Sequence, residues 1–220
     1  MASIILEANL IDWMEGRSYK VNFTELFTAQ KKYEESISYK GEDRFKKKIL
    51  ALLVEVGESA NERPSLFKFW SKSHKGSAQK TAEKYAEAYQ QPVIPVDEDL
   101  FLEELVDIFS FILSQGLEIG IDGKDIAPPI IDQIFDDSVD LYLLFAQRVL
   151  NLYTSWKMEK LEKLNANVYS VGTPSTEEAF NQLLGTFFAL ALVLEYELSD
   201  IETAYYKKNA INVKRQDQGY

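Results

Sequence analysis

The sequence predicts an all-α protein whose helices pack as a bundle. Apolar residues recur at helical spacing along most of the 220 residues, and little strand-like alternation occurs. The composition, 46% hydrophobic and 27% charged, is ordinary for a globular protein, and the chain is long enough for a sizeable core. The connecting segments are too short to be domain linkers, so we predict one domain over residues 1–220.

Four helices are predicted in the first half of the chain. The first begins after Asn22, which can cap it, and ends before Gly41. The second spans Asp43–Asn61, and because its middle is apolar nearly all round, we expect burial on several sides. The polar, alanine-rich segment Ser71–Gln91 is predicted as an exposed helix, and Asp97–Glu118 as a further main helix.

Two long helices are predicted in the second half. One covers Ile130–Leu164 and lies between two loops. The other starts at Ser175, where Glu178 completes a capping box, and runs to about Lys208. The remaining residues, 209–220, are predicted as a polar tail.

Composition excludes several classes of function. The net charge of −11 repels polyanions, so we expect no nucleic acid polymer as a partner. The chain has no cysteine, which rules out disulfides and thiolate catalysis and fits a reducing cytosol. The first thirteen residues lack the basic region of a secretory signal, and no apolar run is long enough to span a bilayer. We therefore expect a cytoplasmic protein with no membrane partner.

Two pairs of carboxylates lie in apolar helices, where an ionised group is costly to bury. Glu55 and Glu58 continue an apolar run, and residues three apart lie on one face of a helix. Glu104 and Asp107 have the same spacing inside another apolar segment. If the two helices pack face to face, four carboxylates meet, and such oxygen clusters bind Mg²⁺ together with phosphates. The sequence therefore predicts a magnesium site that can clamp a phosphate chain and activate a water.

The structural alternative is an ion-pair network within a bundle, to which no metal would bind. Acidic pairs on helix surfaces are also common, and Glu34–Glu35 and Glu177–Glu178 are interpreted as pairs of that kind. Two pairs that each lie inside an apolar run favour the metal site.

The end of the chain is basic, in contrast to the rest. Residues 205–220 contain four basic residues and one acidic residue, namely Lys207, Lys208, Lys214, Arg215 and Asp217. Lys and Arg pair with phosphate oxygens, and Asn209 and Asn212 can bind polar edges of a ligand. We predict a substrate-binding tail, the alternative being a solvated helix end whose cations suit the helix dipole.

Together these residues resemble the metal-binding signature of the all-α nucleotide pyrophosphohydrolases, the MazG-like superfamily, and within it the dimeric dUTPases of phage and bacterial type. The signature is Glu55-x-x-Glu58 followed by Glu104-x-x-Asp107. The supporting elements, in the family's order, are Gln30 in the apolar stripe of the first helix, Phe67-Lys68-Phe69-Trp70, Phe111, Lys208-Asn-x-x-Asn-x-x-Arg-Gln216 and Gly219-Tyr220. Two features depart from the family pattern: Ser110 stands where a histidine is frequent, and an insertion surrounds residues 71–95.

The resemblance implies an Mg²⁺-dependent enzyme that hydrolyses dUTP, and also dUDP, to dUMP. Pyrophosphate would leave from dUTP, and the reaction would limit uracil incorporation into DNA. Glu55, Glu58, Glu104 and Asp107 would hold the metal, and Glu55 or Glu58 would help to activate the attacking water.

The resemblance also implies substrate-binding roles. Gln30 and Asn209 would hydrogen-bond the base or sugar, and Trp70 and Phe111 would flank the uracil ring. The phosphates or the sugar would be held by Lys208, Asn212, Arg215 and Tyr220. Lys68, beside the stacking aromatic, is a further candidate for substrate binding.

A homodimer is implied as well. The two long helices of the second half offer aromatics expected to be exposed, such as Tyr142, Phe145, Tyr153 and Trp156. Two alternative functions stay open: hydrolysis of another nucleotide such as dCTP, and regulation by binding a repressor protein of a mobile genetic element. The resemblance points to the cytosol of a bacterium or of a phage-infected host.

Overall fold

The computed structural model describes residues 21–73, 75–93, 99–124, 126, 137–164 and 172–219. Within these ranges the protein is all-α, with seven helices and no strand, as predicted. The helices are α1 (Phe23–Ser36), α2 (Arg44–Glu62), α3 (Ser77–Tyr89), α4 (Leu100–Glu118), α5 (Ser138–Lys163), α6 (Thr176–Val193) and α7 (Leu198–Asp217). A short 3-10 turn, Pro64–Leu66, follows α2.

Side-chain caps fix several helix starts. The Asn22 side chain accepts a hydrogen bond from the Glu25 backbone N–H at 3.2 Å, and Ser175 forms the expected capping box with Glu178. Asp137 caps α5, so this helix begins at Ser138 rather than at the predicted Ile130. Residues 127–136 lie outside the described part of the chain.

Helix α4 lies at the centre and packs against α1, α2, α6 and α7. Its inward residues Leu105, Ile108, Phe109 and Ile112 are fully or almost fully buried. The Phe109 ring stacks on Phe187 of α6 with centroids 5.2 Å apart. This position places the polar face of α4 between α2 and α7, which is where the candidate site forms.

The single long helix predicted from Ser175 is wrong: it is two helices, α6 and α7, bent by 109°. At the break Glu195 adopts a left-handed backbone with φ 66°, and neither glycine nor proline marks the position in the sequence. Within the described ranges no single helix is long and apolar enough to cross a membrane, although the bent pair meets the length and composition criteria when taken together.

The predicted polar tail is also wrong, because α7 stays helical up to Asp217. The bend turns Leu198, Ile201 and Tyr205 into the core, where α7 packs against α1 and α4. This packing stabilises a helix whose polar second half has no strong apolar pattern of its own.

Helix α2 is buried on one side only, contrary to the prediction. Leu50 and Val54 are 64% and 50% exposed, whereas Ile49 and Leu52 on the opposite side belong to the core. An apolar run alone does not show how many neighbours a helix has. The two exposed residues leave an apolar strip on the surface.

The aromatics expected on an exposed face of α5 lie inward instead. Phe145 is fully buried, and the Tyr142 hydroxyl is 3.1 Å from Ser59 Oγ of α2. Trp156 and Tyr153 are partly buried against the core, and Trp156 stacks on Phe45. Because α5 packs against both α6 and α2, its aromatic positions face neighbours.

Helix α3 lies in the predicted insertion and is exposed, as predicted. Ala86 is its one fully buried residue, and its packing is against α2. The predicted single domain with a C-terminal binding segment stays a prediction.

Candidate metal and nucleotide site

Three carboxylates from α2 and α4 meet on the polar face of α4. Oxygens of Glu55, Glu104 and Asp107 all lie within 4.8 Å of one another, and all three residues are partly buried. Glu58, one turn after Glu55, is exposed and lies outside this group. Its charge nevertheless raises the pKa of each of the three carboxyls, so it is close to them.

The three carboxyls are held in an unfavourable electrostatic environment. Burial, followed by the charges of Asp107, Glu58 and Glu104, raises the pKa of Glu55 from 4.5 to about 7. Burial and the charges of Asp107 and Glu58 likewise raise the pKa of Glu104 to about 7. Burial is also the main cause that raises the pKa of Asp107. At this cluster, therefore, burial and repulsion between the carboxylates outweigh the stabilisation by positive charge that the described residues supply.

Among the described residues, Lys208 of α7 is a cation that contacts this cluster. Its Nζ donates a hydrogen bond to Asp107 Oδ2 at 2.9 Å and pairs with Glu103. Burial would lower the pKa of Lys208, but these two bonds outweigh it and raise the pKa. Lys208, from the basic end of the chain, thus contacts one of the carboxylates. Glu103 was not predicted, because nothing distinguishes it from other exposed glutamates.

The cluster fits a hard divalent cation. Its donors are carboxylate oxygens, which Mg²⁺ prefers. They are close enough to share one ion, and among the described residues Lys208 pairs with one of these carboxylates. A bound cation would remove the repulsion that raises the pKa values.

A second polar arrangement connects α1 to α7. Gln30 is 2% exposed, and its Oε1 accepts a hydrogen bond from the Tyr205 hydroxyl at 3.0 Å. That hydroxyl accepts in turn from Asn209 Nδ2 at 3.3 Å. Asn209 is partly buried and directly follows Lys208, so this arrangement ends one residue from the lysine that contacts Asp107.

Glu34 was interpreted as a surface residue and is instead 8% exposed. Its Oε1 accepts from Gln30 Nε2 at 3.3 Å and from Ser114, while its Oε2 pairs with Arg44 and Lys48. The signal was present in the sequence: Glu34 follows Gln30 by four residues on the buried stripe of α1.

The charges around Glu34 keep it ionised. Burial alone would raise the pKa of Glu34, but hydrogen bonds from Lys48 and Ser114 and the charges of Lys48 and Arg44 hold the pKa below its usual value. Arg44 and Lys48 also pair with Glu118, at 2.9 and 2.7 Å. Glu34 is therefore an acceptor with no proton to donate.

The aromatic candidates occupy different environments. Phe111 lies one turn after Asp107 on α4 and is partly buried against the core. Trp70 lies beyond α2, is 66% exposed, and packs at a right angle to the Phe69 ring with the ring centroids 4.9 Å apart. Lys68, in the same segment, donates to Asn61 Oδ1 at 3.0 Å. Exposed aromatic rings of this kind can stack on a base.

The remaining predicted residues lie toward the end of α7. Burial and the charges of Glu34 and Asp107 raise the pKa of Tyr33, and the charge of Arg215 opposes them, so both Asp107 and Arg215 are near Tyr33. Asn212 is partly buried between Lys208 and Arg215 in the helix. Tyr220 lies outside the described residues.

The comparison with known proteins identifies the family of the chain. A family model described as dUTPase matches residues 22–90 and 91–220, which include every proposed metal ligand and substrate contact. No curated protein and no solved structure matches the chain. The family match covers nearly the whole chain, and the all-α fold is consistent with it. The chain therefore belongs to the all-α dUTPase family, the dUTP diphosphatases.

Proposed function

We propose that this protein hydrolyses dUTP to dUMP and pyrophosphate in an Mg²⁺-dependent reaction, that it also accepts dUDP, and that it thereby limits uracil in DNA. The observation that carries the proposal is the group Glu55, Glu104 and Asp107, whose oxygens lie within 4.8 Å of one another and in which burial and mutual repulsion raise the pKa of Glu55 and Glu104. Family membership supplies the substrate class.

We assign the residues of this group to the following roles. Glu55, Glu104 and Asp107 hold the metal, and Glu58 completes the negative surface beside them. When bound, Mg²⁺ neutralises charge on the phosphate chain and lowers the pKa of a bound water. Glu55 or Glu58 then takes the proton of the attacking water.

One face of α7 is suited to bind the phosphates. Lys208, Asn212 and Arg215 are spaced four and three residues apart, so they share one side of this helix. Lys208 already contacts Asp107, which places this side next to the carboxylates. Cationic and amide donors in such a row match the oxygens of an extended phosphate chain.

For the base we keep the residues that the family resemblance implies. Asn209 hydrogen-bonds the base, and Trp70 and Phe111 contact its faces, with Lys68 beside them. Trp70 is exposed in the free protein, so stacking would remove apolar ring surface from water.

Pyrophosphate release tests the proposal directly. With Mg²⁺, we expect hydrolysis of dUTP at least about a hundredfold more efficient than hydrolysis of dCTP, because a site that hydrogen-bonds the polar edge of uracil rejects the unmatched edge of cytosine strongly. dTTP and UTP carry the same base edge as dUTP, so they test the space around the C5 and 2′ positions instead. From dUDP, phosphate should be released instead. The Glu58→Gln variant should lose most of this activity. If dCTP were cleaved as efficiently as dUTP, the proposed metal chemistry would stand, but the assignment of uracil as the preferred base would be refuted.

We further propose that two copies of the chain associate through α2 and α5. These helices pack together, and each carries an exposed apolar pair, Leu50 with Val54 and Leu143 with Leu150. Their exposure ranges from 50% to 65%, which is high for leucine and valine, and a second copy would cover them.

Light scattering at micromolar concentration checks the dimer. We expect twice the chain mass for the wild type and the single chain mass for a Leu50→Glu/Leu143→Glu variant, because a buried unpaired carboxylate opposes association. Leu164→Glu is the matched control, since Leu164 is 77% exposed at the end of α5 and outside the two pairs. A monomeric wild type would refute this interface.

A further inference from the structure

A continuous row of hydrogen bonds leads from the ionised Glu34 to Asn209. Glu34 accepts from Gln30, Gln30 accepts from Tyr205, and Tyr205 accepts from Asn209, at 3.3, 3.0 and 3.3 Å. Gln30 and Tyr205 are buried, so each amide or hydroxyl must find its partner within the protein.

The carboxylate determines the direction of every bond in this row. An ionised carboxylate only accepts, so Gln30 must turn its NH₂ toward Glu34 and its oxygen toward Tyr205. With the Gln30 amide reversed, two acceptors would face each other in a buried place, which is costly.

The Tyr205 hydroxyl transmits this direction to α7. Burial raises the pKa of Tyr205, so the hydroxyl keeps its proton. It donates to Gln30 Oε1 at 3.0 Å, a better geometry than its 3.4 Å approach to the Leu26 carbonyl. Its lone pair therefore faces Asn209, which must present NH₂ to it.

The amide of Asn209 is thereby oriented, with its carbonyl oxygen left for a ligand. Among the described residues none donates a hydrogen bond to this oxygen, and the residue is partly buried beside Lys208. An acceptor at this place pairs with the N3–H of uracil. Cytosine offers an unprotonated N3 instead, so two acceptors would face each other.

We propose that Glu34 is a positioning residue for base specificity, which acts through Gln30 and Tyr205 to direct the Asn209 carbonyl oxygen toward the nucleotide and so favours uracil over cytosine. This inference rests on the proposed function. It differs from a direct contact between Gln30 and the base, because Gln30 acts from a buried position.

In the Glu34→Gln variant, donor and acceptor should exchange places in every hydrogen bond of the row. Arg44 and Lys48 only donate and contact Oε2, so the new amide oxygen takes that place and the new NH₂ faces Gln30. Gln30 can then reverse, Tyr205 can donate to Asn209, and the Asn209 NH₂ becomes available to cytosine N3.

The test compares kcat/KM for dUTP and dCTP in four proteins. We expect the dUTP-to-dCTP ratio to fall by about tenfold or more in Glu34→Gln, as for the loss of one hydrogen bond in a specific site. Tyr205→Phe, which interrupts the row without adding volume, should lower the ratio as well. Glu118→Gln is the matched control: Glu118 shares Arg44 and Lys48 with Glu34 but has no bond to Gln30, so its ratio should equal that of the wild type.

Each outcome decides the inference. A purely structural Glu34 would change stability or the rates for both nucleotides together, and an unchanged ratio in Glu34→Gln or Tyr205→Phe would overturn the proposal. If Glu34→Gln does not fold, Tyr205→Phe decides alone. A wild type that cleaves neither nucleotide, or cleaves both equally, refutes the proposed function itself, and the wild-type measurement shows this before any variant is compared.

Discussion

Replacing Glu55 by glutamine is expected to abolish nearly all dUTP hydrolysis and to make the metal-free protein more stable. The loss should be on the order of a thousandfold, since a metal site contributes several kcal/mol to stabilisation of the transition state. The gain in stability follows from the cluster: the charges of Asp107, Glu58 and Glu104, together with burial, disfavour the ionised Glu55, and glutamine removes that charge.

The two effects are measured by pyrophosphate release with Mg²⁺ and by thermal unfolding in chelator at about pH 8, where the cluster is ionised. Glu87→Gln, which removes a charge from an exposed position on α3, is the matched control and should change neither quantity. If Glu55→Gln lowered both activity and the unfolding temperature, the residue would be a structural partner rather than a ligand.

Removal of Mg²⁺ is expected to stop hydrolysis and to lower stability in a pH-dependent way. In the metal-free protein the pKa values of Glu55 and Glu104 are about 7, above the ordinary 4.5. The folded state therefore binds protons more tightly than the unfolded state, so stability falls as pH rises through this window and is lowest above about pH 7. The metal binds the ionised carboxylates, so its stabilising effect should be largest there.

Thermal unfolding with and without Mg²⁺ checks this linkage. At an ion concentration about a hundredfold above Kd, binding adds about 2.7 kcal/mol, or roughly 5–10 °C in Tm for a chain of this size. The shift should be clear at about pH 8 and small at about pH 5.5, where protons compete for the same oxygens. An equal shift at both pH values would mean that the ion binds elsewhere.

Local patterns predicted the parts of the fold that depend on local chemistry. The caps at Asn22 and Ser175 and the helical period of α4 were readable because a cap or a stripe requires only a few neighbouring residues. The break at Glu195 was not, since an ordinary residue adopts φ 66° there and tertiary packing supplies the reason. Burial of Phe145 depends likewise on which helices lie beside α5.

In the candidate site, too, features set by neighbouring residues were predictable and features set by tertiary packing were not. The two carboxylate pairs were noticeable because charge inside an apolar run needs an explanation, and three of the four residues meet in space. Glu34 was missed because it stands next to the exposed Glu35 and resembles a surface pair. Its partners come from two other helices and are Arg44, Lys48 and Ser114. The spacing of residues in the sequence does not predict these contacts.

After the sharp bend between α6 and α7, helix α7 has two parts: a first part that anchors it in the core and a second part that carries the candidate substrate-binding residues. Up to Tyr205, the residues of α7 that anchor it are buried in the core, whereas from Tyr206 to Gln216 every residue is partly or fully exposed. Lys208, Asn212 and Arg215 all belong to the second part. Local opening of these turns costs little core packing, so nucleotide entry and product departure can proceed by fraying of a helix end while the bundle stays folded.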